Sequence, residues 1–341
     1  MFPTYSSRIV FGAFFPTNSH FAVLSLFGSS DLRVTRLCQG TAFRTLEREA
    51  GDRQAEAVLR HCLDVGVQFF DSSNAYGWGG AERLLGQALR GRRDEVVICT
   101  KVSPSMPSAA DGTPGTAGAF SDAWLRERLD GSRRRLGTDV IDLYLLHSPD
   151  GVTPMADLCE RMQRLLDSGH IRHWGVSNHS AAQVERLLQS AHTTGAAPPV
   201  GVEDYYSIAG GVLAEDGCSR IRLLEREMFP VLRRSGLGLL AFSPMDRGDL
   251  APGHVGVESG SPLALLIKEL DDVAGELGCA RATVCVAWVL SHGEVTAVLG
   301  GAESTAHVDE LVAGTQLELP GELASRLNAA STTYSDRLSS S

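Results

Sequence analysis

Four polar side chains stand at or just after the ends of short apolar segments, and together they could form a proton-transfer site. Asp71 and Tyr76 lie in VQFFDSSNAYG, Lys101 lies in VVICTKVS, and His147 lies in DLYLLHSPD. A phenol has an ordinary pKa of about 10, so Tyr76 would hold a proton at neutral pH and could donate it. The alkoxide that forms when hydride adds to a carbonyl is an acceptor that suits such a donor.

The other three groups have complementary roles in such a site. Lys101 would supply an ammonium that lowers the pKa of Tyr76, and Asp71 would keep that ammonium charged and oriented through an ion pair. A neutral His147 could donate a hydrogen bond to the substrate oxygen. Taken singly, the four residues have simpler interpretations: a turn or helix cap, a solvated strand-end lysine, a tyrosine packed over its loop, and a satisfied histidine at the rim. The site is favoured because four independent coincidences would otherwise have to occur together.

These segments belong to an alternation of strand-like and helix-like sequence that begins near residue 33. The eight strand candidates are RVTRLCQG, VQFFDSS, EVVICTKV, VIDLYLLHS, HIRHWGVSN, PVGVEDYYS, GLGLLAFSP and VTAVLGG, and STAHVDELVAG is expected to begin the last helix. Short, almost continuously apolar strands are typical of a parallel sheet covered on both faces. The pattern predicts a (β/α)8 TIM barrel of parallel strands, with Asp71, Lys101 and His147 at its C-terminal face. A doubly wound sheet is the alternative, but no G-x-G-x-x-G follows the first strand.

One barrel domain is expected over residues 23–335, with a small N-terminal hairpin, a poorly ordered extension before it (1–22) and a tail after it (336–341). The apolar runs RIVFGAFF and HFAVLSLF near the start are interrupted by Pro16, Asn18 and His20. Because no run reaches the roughly 18 residues that span a bilayer, no membrane attachment is predicted. A signal peptide has little support, since no convincing cleavage site follows the apolar run.

Composition limits the class of partner. The net charge is -10, and no basic stripe interrupts the acidic background, which argues against nucleic-acid binding and favours a small molecule. The seven cysteines show no C-x-x-C pair and no metal-like spacing with histidine. They are expected to be reduced thiols in a cytoplasmic protein, and no metal site is predicted.

Five sequence blocks in order give the chain a resemblance to the aldo-keto reductases. The most specific is FFDSSNAYGWGGAERLLGQAL, which is similar to the family's aspartate, spaced tyrosine and glycine, glutamate and glycine-containing helix; LYLLHSPD, WGVSNHS, AFSP and VLGGAEST resemble further blocks. The resemblance implies an NAD(P)(H)-dependent oxidoreductase that transfers hydride between a nicotinamide and an aldehyde, ketone or sugar-like substrate. It implies Tyr76 as the general acid or base, and it gives Asp71, Lys101 and His147 the roles described above.

The resemblance also implies a nicotinamide site. Ser177 and Asn178 match the family's pair that hydrogen-bonds the carboxamide, and Glu203 stands where the family has a glutamine, although Asp204 is adjacent. A carboxylate can accept from the carboxamide NH₂ but cannot donate to its oxygen. Its charge would favour the oxidised nicotinamide, which leaves open that the protein works partly as a dehydrogenase.

Further cofactor contacts follow from the matches to the last two barrel strands. Phe242 would stack on the nicotinamide, although a core phenylalanine at a strand end is the alternative, and Ser243 and Met245 would lie along the pyrophosphate. Gly300 and Gly301 would allow close backbone approach, and the helix that begins near Ser304 would offer its N-terminus to a phosphate.

The positions of the family's arginine, glutamate and asparagine at the adenosine end are held by His307, Glu310 and Leu311. Losing the guanidinium removes a phosphate contact, but the helix N-terminus with Ser304 and Thr305 remains. NADP(H) is therefore the favoured cofactor and NAD(H) the alternative. Trp78, Trp124 and the loop over residues 103–121 are expected to line or cover the substrate pocket.

Two hypotheses from other classes stay open beside the reductase. A nucleotide-binding regulatory protein of the same fold would hold the cofactor with little or no catalysis. A different barrel enzyme, a lyase or an isomerase, would have no affinity for a nicotinamide. The presence of all four proton-transfer residues favours the reductase over both.

Overall fold

The computed structural model describes residues 24–44, 52–106, 116–210, 224–254 and 257–338. Its strands are β1 (Leu24–Leu26), β2 (Arg33–Thr35), β3 (Leu37–Gly40), β4 (Phe69–Asp71), β5 (Val97–Val102), β6 (Ser105–Met106), β7 (Thr116–Ala117), β8 (Ile141–Leu146), β9 (Ile171–Ser177), β10 (Gly201–Tyr205), β11 (Gly238–Phe242) and β12 (Ala297–Gly300). Eight parallel strands close into a barrel in the order β10-β11-β12-β3-β4-β5-β8-β9. The predicted (β/α)8 TIM barrel is therefore confirmed, and β1 with β2 forms the predicted antiparallel hairpin.

Helices alternate with the barrel strands. They are α1 (Arg53–Asp64), α2 (Gly80–Ala88), α3 (Asp122–Leu136), α4 (Met155–Asp167), α5 (Ala181–Thr194), α6 (Phe229–Ser235), α7 (Pro262–Leu277), α8 (Arg281–Leu290), α9 (Thr305–Gln316) and α10 (Gly321–Leu338). Side chains that accept from first-turn N–H groups start five of them: Asp52, Ser121, Ser180, Ser261 and Ser304. Such caps satisfy backbone donors that have no partner within the helix. Shorter turns of helix lie at Tyr76–Gly79, Arg93–Glu95, Leu224–Met228 and Asp246–Gly248.

The N-terminal hairpin closes the lower end of the barrel. Phe27, between β1 and β2, is buried, and its ring meets that of Phe69 edge-on at a centroid distance of 6.1 Å. A Cβ added to Gly201 would lie 2.3 Å from the Phe27 ring, and one added to Gly238 would lie 3.0 Å from it. The first residues of β10 and β11 are therefore glycines because the ring needs that space. Above the hairpin, apolar side chains fill the barrel interior: Cys38, Phe69, Cys99, Leu143, Leu145, Leu240 and Ala297.

Two sequence predictions about element boundaries were wrong. RVTRLCQG is not one strand, because Arg33–Thr35 pairs with the hairpin strand Leu24–Leu26 while Leu37–Gly40 joins the barrel. STAHVDELVAG does not begin the last helix, because α10 follows α9. The polar sequence of α10 concealed it, yet its residues Leu323, Leu327 and Tyr334 are buried.

Some predictions fall on other parts of the chain. The extension over residues 1–22, Cys218, and residues 339–341 of the predicted tail lie outside the described residues, whereas α10 runs into that tail as far as Leu338. The six cysteines that are described are all unpaired. Within the described ranges no single helix is both long and apolar enough to cross a bilayer, and α7 with α8 reaches that length and composition only as a pair bent by 97°.

Candidate active site

The four proton-transfer residues predicted from the sequence meet at the C-terminal end of the barrel. Asp71 is the last residue of β4, Lys101 lies near the end of β5, and His147 directly follows β8. The parallel register of the strands fixes how far each residue lies along the barrel axis, since Asp71 pairs with Cys99 and Lys101 pairs with Leu145. Tyr76 begins the short helical turn that follows β4, which brings the phenol back over the strand ends.

Lys101 is the centre of a buried charge cluster. Its Nζ lies 2.6 and 2.5 Å from the two oxygens of Asp71 and 3.2 Å from the carbonyl oxygen of Ser72. The same Nζ lies 3.2 Å from Oε1 of Glu203, and the side chains of Lys101, Asp71 and Glu203 are 0%, 1% and 3% exposed. Two carboxyl groups therefore surround one ammonium in a space shielded from water.

The phenol of Tyr76 lies above this cluster. Lys101 Nζ is 5.2 Å from the centroid of the Tyr76 ring. Burial raises the pKa of Tyr76 above its usual value; Lys101 lowers it, as the sequence predicts, but Asp71 and Glu203 oppose that effect. The net direction is upward, so Tyr76 is protonated when no ligand is bound, and the lowering of its pKa that the sequence predicts from Lys101 does not prevail over burial in the ligand-free protein.

The imidazole of His147 is held in a fixed orientation and is neutral. Its Nδ1 lies 2.9 Å from the hydroxyl of Ser103 and 3.1 Å from that of Ser73. Its ring meets the Tyr76 ring edge-on at a centroid distance of 5.6 Å. Burial, with a smaller contribution from Lys101, lowers the pKa of His147 to about 3. In the tautomer in which Nδ1 accepts from a serine hydroxyl, Nε2 carries the hydrogen and can donate to a substrate oxygen.

Trp124 supports this histidine from outside the barrel. Its indole Nε1 donates to the carbonyl oxygen of Ser103 at 2.9 Å, and its side chain is 8% exposed and covered by the Arg128 guanidinium. Trp124 thus anchors the residue whose hydroxyl contacts His147. Trp78 lies half-buried in the turn that begins at Tyr76. A place for either tryptophan in a substrate pocket stays a prediction, and residues 107–115 of the expected covering loop lie outside the described residues.

The residues expected at the nicotinamide carboxamide lie side by side. Ser177 ends β9 and is buried, and Asn178 Nδ2 donates to the carbonyl oxygen of His147 at 2.9 Å. Glu203 on β10 is the register partner of Ser177, whereas the carboxylate of Asp204 accepts from the next backbone N–H, that of Tyr205. Glu203 is therefore the residue that contacts the charge cluster. Its contact with Lys101 is a feature that the sequence did not predict.

Phe242 ends β11, and Ser243 and Met245 lie in the loop that follows it; all three are half-buried. The Phe242 ring meets the Tyr205 ring edge-on at a centroid distance of 5.8 Å. Asp246 in this loop is 1% exposed and accepts a hydrogen bond from the Tyr205 hydroxyl. Tyr205 and Asp246 were not predicted from the sequence, where the only signal was an aspartate among the glycines and prolines of a loop.

Gly300, which ends β12, and Gly301, which follows it, have different surroundings. A Cβ added to Gly300 would lie 2.5 Å from Cδ1 of Leu311, so this glycine makes room for α9, whereas one added to Gly301 would meet nothing within 4 Å. Ser304 caps α9 by accepting from the backbone N–H of His307 at 3.2 Å. His307 is exposed and Glu310 half-buried. Leu311, at the family's asparagine position, is buried.

The chain is similar to known proteins over most of its length. The model of the aldo/keto reductase family matches residues 36–332. An uncharacterized oxidoreductase, YrpG of Bacillus subtilis, is 30% identical over 318 residues, covering 88% of this chain and 93% of that protein. A probable voltage-gated potassium channel subunit beta of Oryza sativa is 31% identical over 297 residues, covering 81% and 85%.

A solved structure shows the same fold. The crystal structure of an aldo/keto reductase from Klebsiella pneumoniae in complex with NADP and acetate superposes with a TM-score of 0.68 at 27% identity, covering 87% of this chain and 91% of that one. The family match extends over nearly the whole barrel. This chain belongs to the aldo/keto reductase family.

Proposed function

We propose that this protein is an NAD(P)(H)-dependent oxidoreductase that reduces an aldehyde or ketone, or oxidises the corresponding alcohol. The observation that carries the proposal is the buried Asp71–Lys101 pair beneath Tyr76, with the neutral imidazole of His147 beside the phenol. A proton donor and a hydrogen-bond donor that converge on one point are what the oxygen of a carbonyl needs as negative charge develops on it.

The described residues suit a nicotinamide cofactor. Gly301 leaves open space beside the N-terminus of α9, where a phosphate can approach backbone N–H groups. Ser177 and Asn178 lie together at the end of β9 and would hold the carboxamide. When bound, the nicotinamide supplies or accepts the hydride, which no side chain can store. We infer NADP(H) ahead of NAD(H), because the NADP complex of the Klebsiella protein adds to the argument from the helix N-terminus.

Each group of the chain has a defined task in carbonyl reduction. Tyr76 gives its proton to the substrate oxygen, and Lys101 stabilises the phenolate that is left. Asp71 keeps the ammonium charged, and His147 orients the substrate oxygen. In alcohol oxidation the same phenolate accepts the proton.

The test replaces Tyr76 by phenylalanine. NADPH oxidation with a panel of aldehydes and ketones should fall by about two to four orders of magnitude, because general acid catalysis contributes roughly 10²–10⁴-fold. Cofactor affinity, measured by quenching of tryptophan fluorescence, should stay within a few-fold. Tyr144→Phe is the matched control, because the Tyr144 hydroxyl is buried and has no hydrogen-bond partner among the described residues. Retained turnover in Tyr76→Phe would contradict the proposal.

A second candidate is a nucleotide-binding regulatory protein with little catalysis. It is favoured by the potassium channel beta subunits among the relatives and by the unusual Glu203 in the charge cluster. It predicts tight binding of a nicotinamide nucleotide together with no turnover on the same panel by the wild-type protein.

A further inference from the structure

Glu203 places one more carboxyl group in the barrel interior than the ammonium of Lys101 can neutralise. Asp71 has both oxygens within 2.6 Å of Lys101 Nζ, whereas Glu203 has only Oε1 near it, at 3.2 Å. Oε2 of Glu203 is buried and has no hydrogen-bond partner among the described residues. With both carboxyl groups ionised, the three side chains would carry a net charge of -1 in a space shielded from bulk solvent, which is costly.

The nearer carboxylate keeps the charge in such a pair. Two carboxyl groups that share a site cannot both ionise freely, and the one with the closer ammonium is the stronger acid. Burial first, and then the charge of Asp71, raise the pKa of Glu203 to about 8, although Lys101 opposes both effects. Burial raises the pKa of Asp71 as well, although Lys101 opposes the rise. The closer contacts of Asp71 with the ammonium therefore assign the charge to Asp71 and the proton to Glu203.

The other titratable groups around Glu203 do not change charge near neutral pH. Burial raises the pKa of the Cys38 and Cys99 thiols and of the Tyr76 hydroxyl, and the pKa of His147 falls to about 3. Burial would lower the pKa of Lys101, but Asp71 and Glu203 raise it well above its usual value. The strand neighbours of Glu203, Ser177 and Leu240, carry no titratable side chain, and Tyr205, two residues further along β10, is hydrogen-bonded to Asp246.

A neutral carboxylic acid has the same hydrogen-bonding pattern as a glutamine amide, with one accepting oxygen and one donating group. We propose that Glu203 is a neutral acid in the resting protein, with Oε1 accepting from Lys101 and Oε2–H as the donor, and that it releases this proton to solvent when an oxidised nicotinamide binds. The reason for release is charge: the oxidised ring is cationic and favours the carboxylate, whereas the reduced ring is neutral and favours the acid. Glu203 is a positioning residue in this scheme, since it acts on Lys101 and on the cofactor's charge. The cofactor part of the inference rests on the proposed function.

The first test needs no cofactor. The infrared spectrum of the apoprotein at neutral pH should contain the band of a buried, protonated carboxyl group. Glutamate labelled with ¹³C at the side-chain carboxyl should shift the band, labelled aspartate should not, and Glu203→Gln should remove it. Glu82→Gln is the control, because Glu82 is equally buried but is bound by Arg135 and Thr100. If the band is absent, or if it shifts with labelled aspartate, the inference is overturned whatever the protein catalyses.

The second test counts protons by calorimetry of cofactor binding in two buffers that differ in ionisation enthalpy. At pH 7 the wild type should release up to about one proton for each NADP⁺ bound and close to none for NADPH, because linkage ties proton release to the change in pKa. Glu203→Gln should release none with either cofactor. Equal proton counts for NADP⁺ in wild type and variant would overturn the release step. If neither nucleotide binds while the infrared band is present, the proposed function fails and the assignment of the proton to Glu203 stands.

Discussion

Replacing Glu203 by glutamine should change how the stability of the apoprotein depends on pH. In the unfolded chain a glutamate has a pKa of about 4.3, whereas burial and the Asp71 charge raise the pKa of Glu203 to about 8 in the folded protein. Between these values the folded state holds a proton that the unfolded state has lost. Raising the pH therefore favours unfolding, and the contribution of Glu203 to stability is complete below about pH 4 and is lost as the pH rises through about 8.

The size of this effect follows from the linkage slope. One proton of difference changes the free energy of unfolding by about 1.4 kcal/mol per pH unit, so the wild type should lose about 3–4 kcal/mol relative to Glu203→Gln between pH 5 and pH 8. Urea unfolding of both proteins, followed by tryptophan fluorescence across that range, measures the difference directly. Glu322→Gln, at an exposed position in the first turn of α10, should show no such slope. A wild-type-minus-variant difference that is constant with pH, or that grows with it, would refute the reasoning.

Two further predictions concern the surroundings of the site. Arg135→Met should destabilise the protein by about 3–5 kcal/mol in urea unfolding, because it leaves the buried carboxylate of Glu82 without its ion pair. The double variant Glu82→Gln/Arg135→Met should recover part of that lost stability. An equal or larger loss in the double variant would contradict the pairing. His307→Arg should strengthen NADPH binding about tenfold while leaving NADH binding unchanged, since a guanidinium pairs with a 2′-phosphate. Fluorescence quenching measures both affinities, and equal changes for the two cofactors would argue against a phosphate near residue 307.

The sequence was sufficient to predict the groups that end strands. Asp71, Lys101 and His147 each follow an apolar segment, and parallel strands in one barrel bring their C-terminal ends to the same face, so their meeting could be inferred without coordinates. Tyr76 could be added because it follows Asp71 by only a few residues.

Contacts across the barrel could not be predicted in this way. Glu203 on β10 and Lys101 on β5 lie three strands apart around the barrel. The spacing of residues along the sequence does not show which inward-facing side chains of such distant strands are in contact. The anchoring of Ser103 by Trp124 depends on the packing of α3 beside β5, which hydrophobic periodicity does not fix. The last helix was not predicted for a different reason. Its sequence is rich in serine and threonine, which are weak helix formers, whereas in the structure the hydroxyls of Ser325, Thr332 and Thr333 donate to carbonyl oxygens one turn earlier.

The hairpin below the barrel covers the N-terminal end of its interior. Phe27 and the apolar layer above it separate the charge cluster from solvent at the N-terminal end. Among the described residues this layer blocks the approach of water and hydronium to Lys101, Asp71 and Glu203 from the hairpin end, which leaves the C-terminal end of the barrel as its mouth. A ligand seated in that mouth closes the route. Its binding therefore changes both the affinity of the interior for protons and the rate at which the interior exchanges protons with solvent. The exchange of deuterium into the cluster should then be slow in any complex, and the barrel floor, far from the chemistry, is the part of the fold that makes it so.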